Sequence, residues 1–278
     1  MRILHLASEH PPQTVFGLGR YVCDMARELA AQRNEVHVLT NSICGKDQDV
    51  VDHGVNLHRI DFPPPPKPPG SIPPACAFNL QLQQRAARLG YSGLGAPEVV
   101  VSHDWLTALA GHHLARRFGV PHVWTVHDTV FGKRAGELAS SEDRQVFELE
   151  RWAAHTADLI LVNSTAIREE ISVTYAADLA KVRLVHCGID PSMFKSRQAA
   201  SRLTAFRQVF AAPDEMLVTY VGRLDLEKGI DVLVNAFAAL HRKMPNARLA
   251  IIGTGQLVET IRSHVQALEL TGAVNLYG

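Results

Sequence analysis

The sequence lacks a net charge, a long apolar run and any cysteine spacing typical of a metal site. Its 278 residues carry 28 basic and 28 acidic side chains, so charge gives no reason to expect nucleic acid as a partner. No stretch approaches the roughly 20 apolar residues that a membrane-spanning helix needs. The four cysteines, at positions 23, 44, 76 and 187, form no CxxC pair, which predicts reduced thiols in a cytoplasmic protein.

Two glycine pairs precede predicted helices, but neither completes a dinucleotide-binding fingerprint. Gly17 and Gly19 bring backbone amides to a helix N-terminus, where a phosphate can bind; a tight turn with close helix packing is the alternative. A dinucleotide fold needs a further glycine where Val22 stands, so a nicotinamide-dependent dehydrogenase is disfavoured. Gly253 and Gly255 predict a second strand-to-helix turn, near a nucleotide base.

Short apolar runs alternate with helical periodicity along the chain. Seven strands are predicted before residue 190, at 2–7, 35–40, 55–60, 98–102, 122–127, 158–163 and 182–186. Three more are predicted after it, at 216–221, 247–252 and 273–277. Continuous apolar runs are typical of parallel strands covered by helices on both faces, so the pattern predicts a doubly wound α/β fold.

Two interruptions divide this pattern. The proline-rich segment 62–74 is interpreted as an extended surface loop, with a proline-motif ligand as the alternative. The polar stretch 190–214 separates the two blocks of strands. We therefore predict an N-terminal domain over 1–195, a connection over 196–212 and a C-terminal domain over 213–278.

Histidine–aspartate pairs follow two of the predicted strands. They are His103-Asp104 and His127-Asp128. Ligands of an open parallel sheet bind beyond the carboxyl ends of its strands, so both pairs are candidates for substrate contact. A structural role is one alternative. A metal site is another, but no third or fourth ligand stands at a defined spacing.

A predicted strand-to-helix loop of the second domain carries two cations. Arg223 and Lys228 lie in this loop, and Gly229 opens the next helix. A guanidinium and an ammonium beside a helix N-terminus suit a diphosphate and would stabilise the charge on a departing one. The alternative is a solvated loop in which Asp225 and Glu227 neutralise the two cations.

The order of these motifs resembles the family 4 glycosyltransferases, which have the GT-B fold of two Rossmann-like domains facing a cleft. The matching segments are FGLGRYV (16–22), SHDWLTALAG (102–111), TVHD (125–128), ADLILVNS (157–164), VHCGIDPSMF (185–194), VGRLDLEKGIDVLVNAF (221–237) and IIGTG (251–255). The resemblance implies an enzyme that moves a hexose from a nucleoside-diphosphate sugar to a hydroxyl acceptor. It implies retention at the anomeric carbon and no metal ion or other cofactor.

The resemblance also implies roles for residues on the donor side. His127 would lie beside the donor sugar and support an oxocarbenium-like transition state. Arg223 and Lys228 would hold the donor diphosphate, and Gly17 and Gly19 would bring backbone amides to the same phosphates.

Weaker implications concern the base and the acceptor. Gly253 and Gly255 would lie near the donor nucleotide, and His103 and Asp104 would lie in the acceptor-side cleft. The acceptor is a carbohydrate or a lipid-linked molecule, with weak peripheral membrane contact as an open alternative. A sugar-nucleotide epimerase of the same fold is disfavoured by the segment GRLDLEKG.

The sequence departs from the family pattern at three places. Phe16 replaces the first paired glycine, and Cys187 replaces an asparagine. The family's paired glutamates would follow Gly278; Glu142 and Glu150 have the spacing but lie in a first-domain helix, so they are rejected. We therefore expect a fragment with an incomplete second domain and impaired activity. The alternative is a non-catalytic remnant that binds sugar or acceptor.

Overall fold

The computed structural model describes residues 1–12, 17–42, 45–62, 72–90, 95–191 and 200–278. They form two compact units, Met1–Ile189 and Asp190–Gly278. Phe16, residues 63–71 of the predicted proline-rich loop and the predicted domain end at 195 lie outside the described residues.

The described part of the first unit is built on one sheet. Its strands are β1 (Arg2–Leu6), β2 (Glu35–Asn41), β3 (Gln48–Asp52), β4 (Val55–Ile60), β5 (Val99–His103), β6 (His122–Val126), β7 (Leu159–Val162) and β8 (Val182–Leu184). They lie in the order β3-β4-β2-β1-β5-β6-β7-β8. Neighbours run parallel, except β3, which is antiparallel to β4. The strand order reverses between β1 and β5, where ligands of such sheets bind.

Helices cover both faces of this sheet. They are α1 (Gly17–Ala31), α2 (Ile72–Leu89), α3 (Asp104–Phe118), α4 (Val130–Lys133), α5 (Ser141–Thr156) and α6 (Thr165–Val173). Val22 of α1 shares a buried cluster with Val38, and Leu82 of α2 shares another with Leu39. Since successive strand residues point to opposite faces, these two clusters lie on opposite sides of β2.

The second unit contains a parallel sheet in the order β11-β10-β9. Its elements are α7 (Ala200–Gln208), β9 (Met216–Val221), α8 (Ile230–Lys243), β10 (Ala247–Ile252), α9 (Val258–Ala267) and β11 (Val274–Tyr277). Ile230, Val234 and Phe237 recur at helical spacing in α8 and pack with Leu249 and Ile251 of β10. This apolar cluster fixes the position of the loop between β9 and α8, which follows the carboxyl end of β9.

The predicted α/β class is confirmed, but the prediction of strands was wrong at two places. It missed β3, whose residues are mostly exposed and include only two consecutive valines. His53 and Gly54, both with positive φ, form the tight turn that pairs β3 with β4. His103 was expected to follow a strand, whereas it is the last residue of β5.

Candidate active site

Three histidines lie together at the carboxyl ends of β1, β5 and β6. His5 Nδ1 lies 3.2 Å from His103 Nε2, and His103 Nδ1 lies 3.1 Å from His127 Nε2. The centroids lie 5.5 Å apart in the first pair and 5.4 Å in the second, with ring planes 21° and 25° apart, so the rings face each other edge to edge through these nitrogens. His103 and His127 were predicted from the sequence. His5 was missed, although a histidine inside the apolar run RILHLA was a usable signal.

Burial keeps these imidazoles neutral. His5 is 1% exposed and His103 is fully buried. Loss of water lowers the pKa of His5 and of His127 to about 4. The pKa of His103 is lowered well below its ordinary value by burial and by its two histidine neighbours. At neutral pH each contact between two rings therefore holds one proton.

Hydrogen bonds fix the backbone of His127 at both its N–H and its carbonyl group. Its N–H donates to Asp104 Oδ1 over 2.7 Å, and its carbonyl accepts from Asn163 Nδ2 over 3.2 Å. Asp104 begins α3 with a φ of 54°. Burial, followed by the charge of Asp128, raises the pKa of Asp104 well above its ordinary value. The carboxyl group that was predicted for the acceptor side therefore holds the backbone of the neighbouring loop.

Further contacts hold the rest of the loop after β6. Val130 N donates to both carboxyl oxygens of Glu150, over 3.0 and 3.1 Å, and the hydroxyl of Thr129 donates to Glu170. Tyr175 donates to Glu150 over 2.6 Å. Glu150 is 1% exposed, and burial raises its pKa to about 8. Glu150, rejected as a donor ligand because of its helix, thus has a structural role in this loop.

Two side chains that sequence reasoning missed lie beside His127. Tyr21 of α1 meets the His127 ring edge-on, with centroids 4.7 Å apart. Lys133 Nζ lies 2.6 Å from Asp128 Oδ1, and both side chains are partly exposed. Burial is the largest single effect on the pKa of Lys133 and lowers it, but the acidic groups around the ammonium, with Asp128 first, together outweigh it and the net shift is upward. Besides burial, the charge of Lys133 helps to lower the pKa of His127, so this cation acts on the imidazole.

The predicted phosphate loop opens α1. Gly17 is exposed, and a Cβ added there would meet nothing within 4 Å. Gly19 is buried, and its N–H donates to Glu9 Oε1 over 2.9 Å. One of the two amides expected to face a phosphate is therefore bonded to a carboxylate.

The cationic loop of the second unit holds its own counter-charges. Arg223 forms ion pairs with Asp225 and Glu227, and Lys228 Nζ lies 3.9 Å from Glu227 Oε1. The side chains of Arg223 and Lys228 are 34% and 47% exposed. Gly229, with a φ of 61°, caps α8 rather than beginning it. The loop thus has the neutralised arrangement that the alternative interpretation of the sequence described, and solvent reaches both cations.

The second glycine pair has a packing role. A Cβ at Gly253 would lie 1.9 Å from the carbonyl oxygen of Gly222, and one at Gly255 would lie 2.4 Å from that of Leu224. Leu224 N also donates to the carbonyl of Thr254 over 2.8 Å. The loops after β9 and β10 therefore touch through their backbones, and a nucleotide role for either glycine stays a prediction.

Among the described residues, three or more histidine, cysteine or acidic side chains nowhere come together as a metal site would require. Each helix described is too short or too polar to cross a bilayer. Metal independence and a cytoplasmic location stay predictions.

Family models match both units of the chain. The model described as Glycosyltransferase Family 4 matches residues 15–193, and the one described as Glycosyl transferases group 1 matches residues 201–278. The chain belongs to the family 4 glycosyltransferases. The family predicted from the order of the motifs is therefore confirmed.

This family 4 glycosyltransferase is similar to the glycogen synthase of Mycobacterium tuberculosis. The two are 32% identical over 279 residues, which cover 95% of this chain and 65% of the relative. The alpha-maltose-1-phosphate synthase of Mycolicibacterium smegmatis is 28% identical over 96% of this chain and 65% of its own length. The chain thus spans about two thirds of the length of these relatives.

Solved structures share the fold. The sucrose-phosphate synthase from Thermosynechococcus elongatus matches with a TM-score of 0.76 and 23% identity, over 100% of this chain and 70% of that one. Anabaena HepE in complex with UDP-glucose matches with a TM-score of 0.67 and 18% identity, over 100% of this chain and 69% of that one. These likenesses confirm the predicted GT-B fold with two Rossmann-like units.

Proposed function

We propose that this chain belongs to a retaining glycosyltransferase that moves a hexose from a nucleoside-diphosphate sugar to a hydroxyl group. The observation that carries the proposal is the loop between β9 and α8, where Arg223 and Lys228 stand beside a helix N-terminus and within reach of solvent. The UDP-glucose complex of Anabaena HepE, which shares the fold, supports this class of donor. The acceptor is a carbohydrate or a lipid-linked molecule, and the enzyme works in the cytoplasm without a metal ion.

The proposed reaction exchanges one bond at the anomeric carbon. The bond from this carbon to the diphosphate oxygen breaks, and the acceptor oxygen binds the carbon on the same face while its proton passes to the departing phosphate. Arg223 and Lys228 would leave their carboxylate partners for diphosphate oxygens and stabilise the charge that collects there. His127, neutral because its pKa is about 4, would contact the donor sugar without repelling the positive charge on that carbon.

Titration calorimetry on the 278-residue chain tests the donor site. UDP-glucose, ADP-glucose and GDP-mannose are titrated into the chain and into Arg223→Ala and Lys228→Ala. Each substitution should weaken binding of the preferred donor about 10- to 100-fold, because a hydrogen bond to a charged group contributes about 1.5–3 kcal/mol.

Arg242→Ala is the matched control for the donor site. Arg242 lies in the last turn of α8, so the variant removes the same charge from the far end of the same helix. Donor affinity should not change in it. Equal affinity of the wild type and Arg223→Ala would refute the proposal.

A second candidate is a protein that binds an acceptor sugar without transferring one. The ion pairs of Arg223 with Asp225 and Glu227 favour it, because they already neutralise the guanidinium. Such a protein would bind glucans or other acceptors in the calorimeter and would give no heat with any of the three nucleotide sugars. Donor binding that is lost on Lys228→Ala excludes it.

A further inference from the structure

His103 lies between two other imidazoles, and this position sets where the proton of His127 can lie. We propose that His103, backed by His5, is a positioning residue that holds His127 as a single tautomer with its proton on Nδ1. The inference deepens the proposed function at the same site. It makes His127 a hydrogen-bond donor, suited to a hydroxyl or phosphate oxygen.

Each contact between two ring nitrogens needs one N–H and one lone pair. The separations of 3.2 Å and 3.1 Å are those of hydrogen bonds. A neutral imidazole carries one proton, and His103 uses both of its nitrogens, so its tautomer couples the two contacts. The chain of rings therefore has two states: every proton on Nδ1, or every proton on Nε2.

The buried end of the chain of rings selects between these states. His5 Nε2 is buried and has no hydrogen-bond partner among the residues that the structure describes. In the second state this atom would be an N–H without an acceptor, whereas in the first it is only an unused lone pair. Buried N–H groups without an acceptor are rarer in proteins than buried acceptors without a donor. The protons therefore lie on Nδ1.

The other end of the chain of rings agrees with this choice. His127 is only partly buried, and the described contacts of its ring place a hydrogen bond at Nε2 and none at Nδ1. An N–H at Nδ1 can therefore be satisfied by solvent or by a ligand. Burial also lowers the pKa of His5 to about 4, so this ring does not take up a second proton at neutral pH.

Nitrogen NMR on the unliganded 278-residue chain, labelled with ¹⁵N in its histidines, tests the proposal. The wild type should show a protonated Nδ1 and an unprotonated Nε2 at His127. The reverse assignment, or a mixture of both tautomers, would overturn the proposal whatever the variants do. Because no substrate is added, this result is independent of transferase activity, and the calorimetry at Arg223 remains a separate test of the proposed function.

Two substitutions at His103 sharpen the test. His103→Leu removes the donor to His127 Nε2, so His127 should lose its single tautomer and show both forms. His103→Asn keeps an N–H near the position of Nδ1 and should restore the Nδ1-protonated form.

His122→Leu is the matched control at another buried position of the same sheet. His122 is 1% exposed and is bonded to Ser102 rather than to this chain of rings. The signals of His127 should not change in this variant. An unchanged tautomer in a folded His103→Leu protein would contradict the positioning role.

Discussion

The loops after β6 and β9 hold their candidate functional groups in opposite ways. Asp104 and Asn163 fix the backbone of His127, and a buried imidazole fixes its ring. Arg223 and Lys228 are held instead by carboxylates of their own loop, at ion pairs that water reaches. The position of His127 is set in the unliganded protein, whereas Arg223 and Lys228 would have to change partners to bind an anion as proposed.

This difference shows which contacts can be exchanged at a small cost in free energy. Exposed ion pairs contribute only about 0.2–1 kcal/mol, so Arg223 can exchange them for a diphosphate at little cost. Unpairing a buried polar group costs about 1–3 kcal/mol, so the surroundings of His127 resist rearrangement. The second unit therefore supplies the adjustable contacts, and the first supplies fixed geometry.

The largest expected effect concerns the backbone contact between the cationic loop after β9 and the loop after β10. Gly253→Ala places a Cβ 1.9 Å from the carbonyl oxygen of Gly222, at a φ of 151°. Overpacking and backbone strain should together lower the unfolding free energy of the second unit by about 3–5 kcal/mol. Hydrogen exchange of the β10 amides measures this loss.

Gly272→Ala is the control for that substitution. A Cβ at Gly272 meets nothing within 4 Å, so the change should stay within about 0.5 kcal/mol. If hydrogen exchange of the β10 amides is equally slow in both variants, the backbone around Gly253 can shift to admit a side chain. The second unit would then be adjustable beyond its cationic loop.

A smaller effect should follow pH in the first unit. Folded Glu150 keeps its proton up to a pKa of about 8, whereas the unfolded chain releases it near the ordinary value of 4.5. The folded state thus binds more protons between these values. Below pH 7 the buried histidines, with pKa values of about 4, act in the opposite direction, because the unfolded chain binds their protons first. Between pH 7 and 8.5, where these histidines are almost fully neutral in both states, the unfolding free energy should therefore fall by roughly 1 kcal/mol. Urea unfolding followed by tryptophan fluorescence measures it, since Trp105, Trp124 and Trp152 all lie in this unit.

Glu150→Gln should remove most of this pH dependence, because an amide does not titrate in this range. Glu148→Gln, in the same helix and 57% exposed, should keep it. If both variants follow the wild-type curve, the loop after β6 is not held by a protonated carboxyl group.

The smallest expected effect concerns the partners of Arg223. If Arg223 holds the donor diphosphate as proposed, Glu227→Gln removes a negative charge that competes with it, so UDP affinity should rise about two- to five-fold. The gain should shrink at high salt, as exposed charge interactions do. Glu259→Gln removes a charge that is 83% exposed on α9 and should have no effect. Weaker binding in Glu227→Gln would mean that this carboxylate belongs to the bound geometry.

The sequence was most informative where apolar side chains recur along a strand. The strands 55–60, 216–221 and 247–252 were predicted residue for residue, because each holds at least three large apolar or β-branched side chains. β3 gave no such signal, since it is short, exposed and paired through a turn. The fold class could thus be predicted, whereas this short exposed strand could not.

The positions of the site residues in the sheet could be predicted from the sequence, but the contacts between them could not. Topology alone places His103 and His127 at the carboxyl edge of the sheet. The contact between His5 and His103 joins residues 98 positions apart, through the pairing of β1 with β5, which no local pattern encodes. The pairing of Arg223 with its neighbouring carboxylates was one of two interpretations, since adjacent charges on a loop permit either state.

The left-handed conformation of Asp104 limits what evolution can place there. The position needs a residue that tolerates a φ of 54° and a short acceptor that reaches the amide of His127 over 2.7 Å. Aspartate and asparagine meet both demands, whereas glycine offers no acceptor and glutamate is longer and avoids this region. The combined demands therefore favour aspartate or asparagine at this junction of β5 and α3, and a longer or apolar side chain there would strain the turn or leave the amide of His127 without its acceptor.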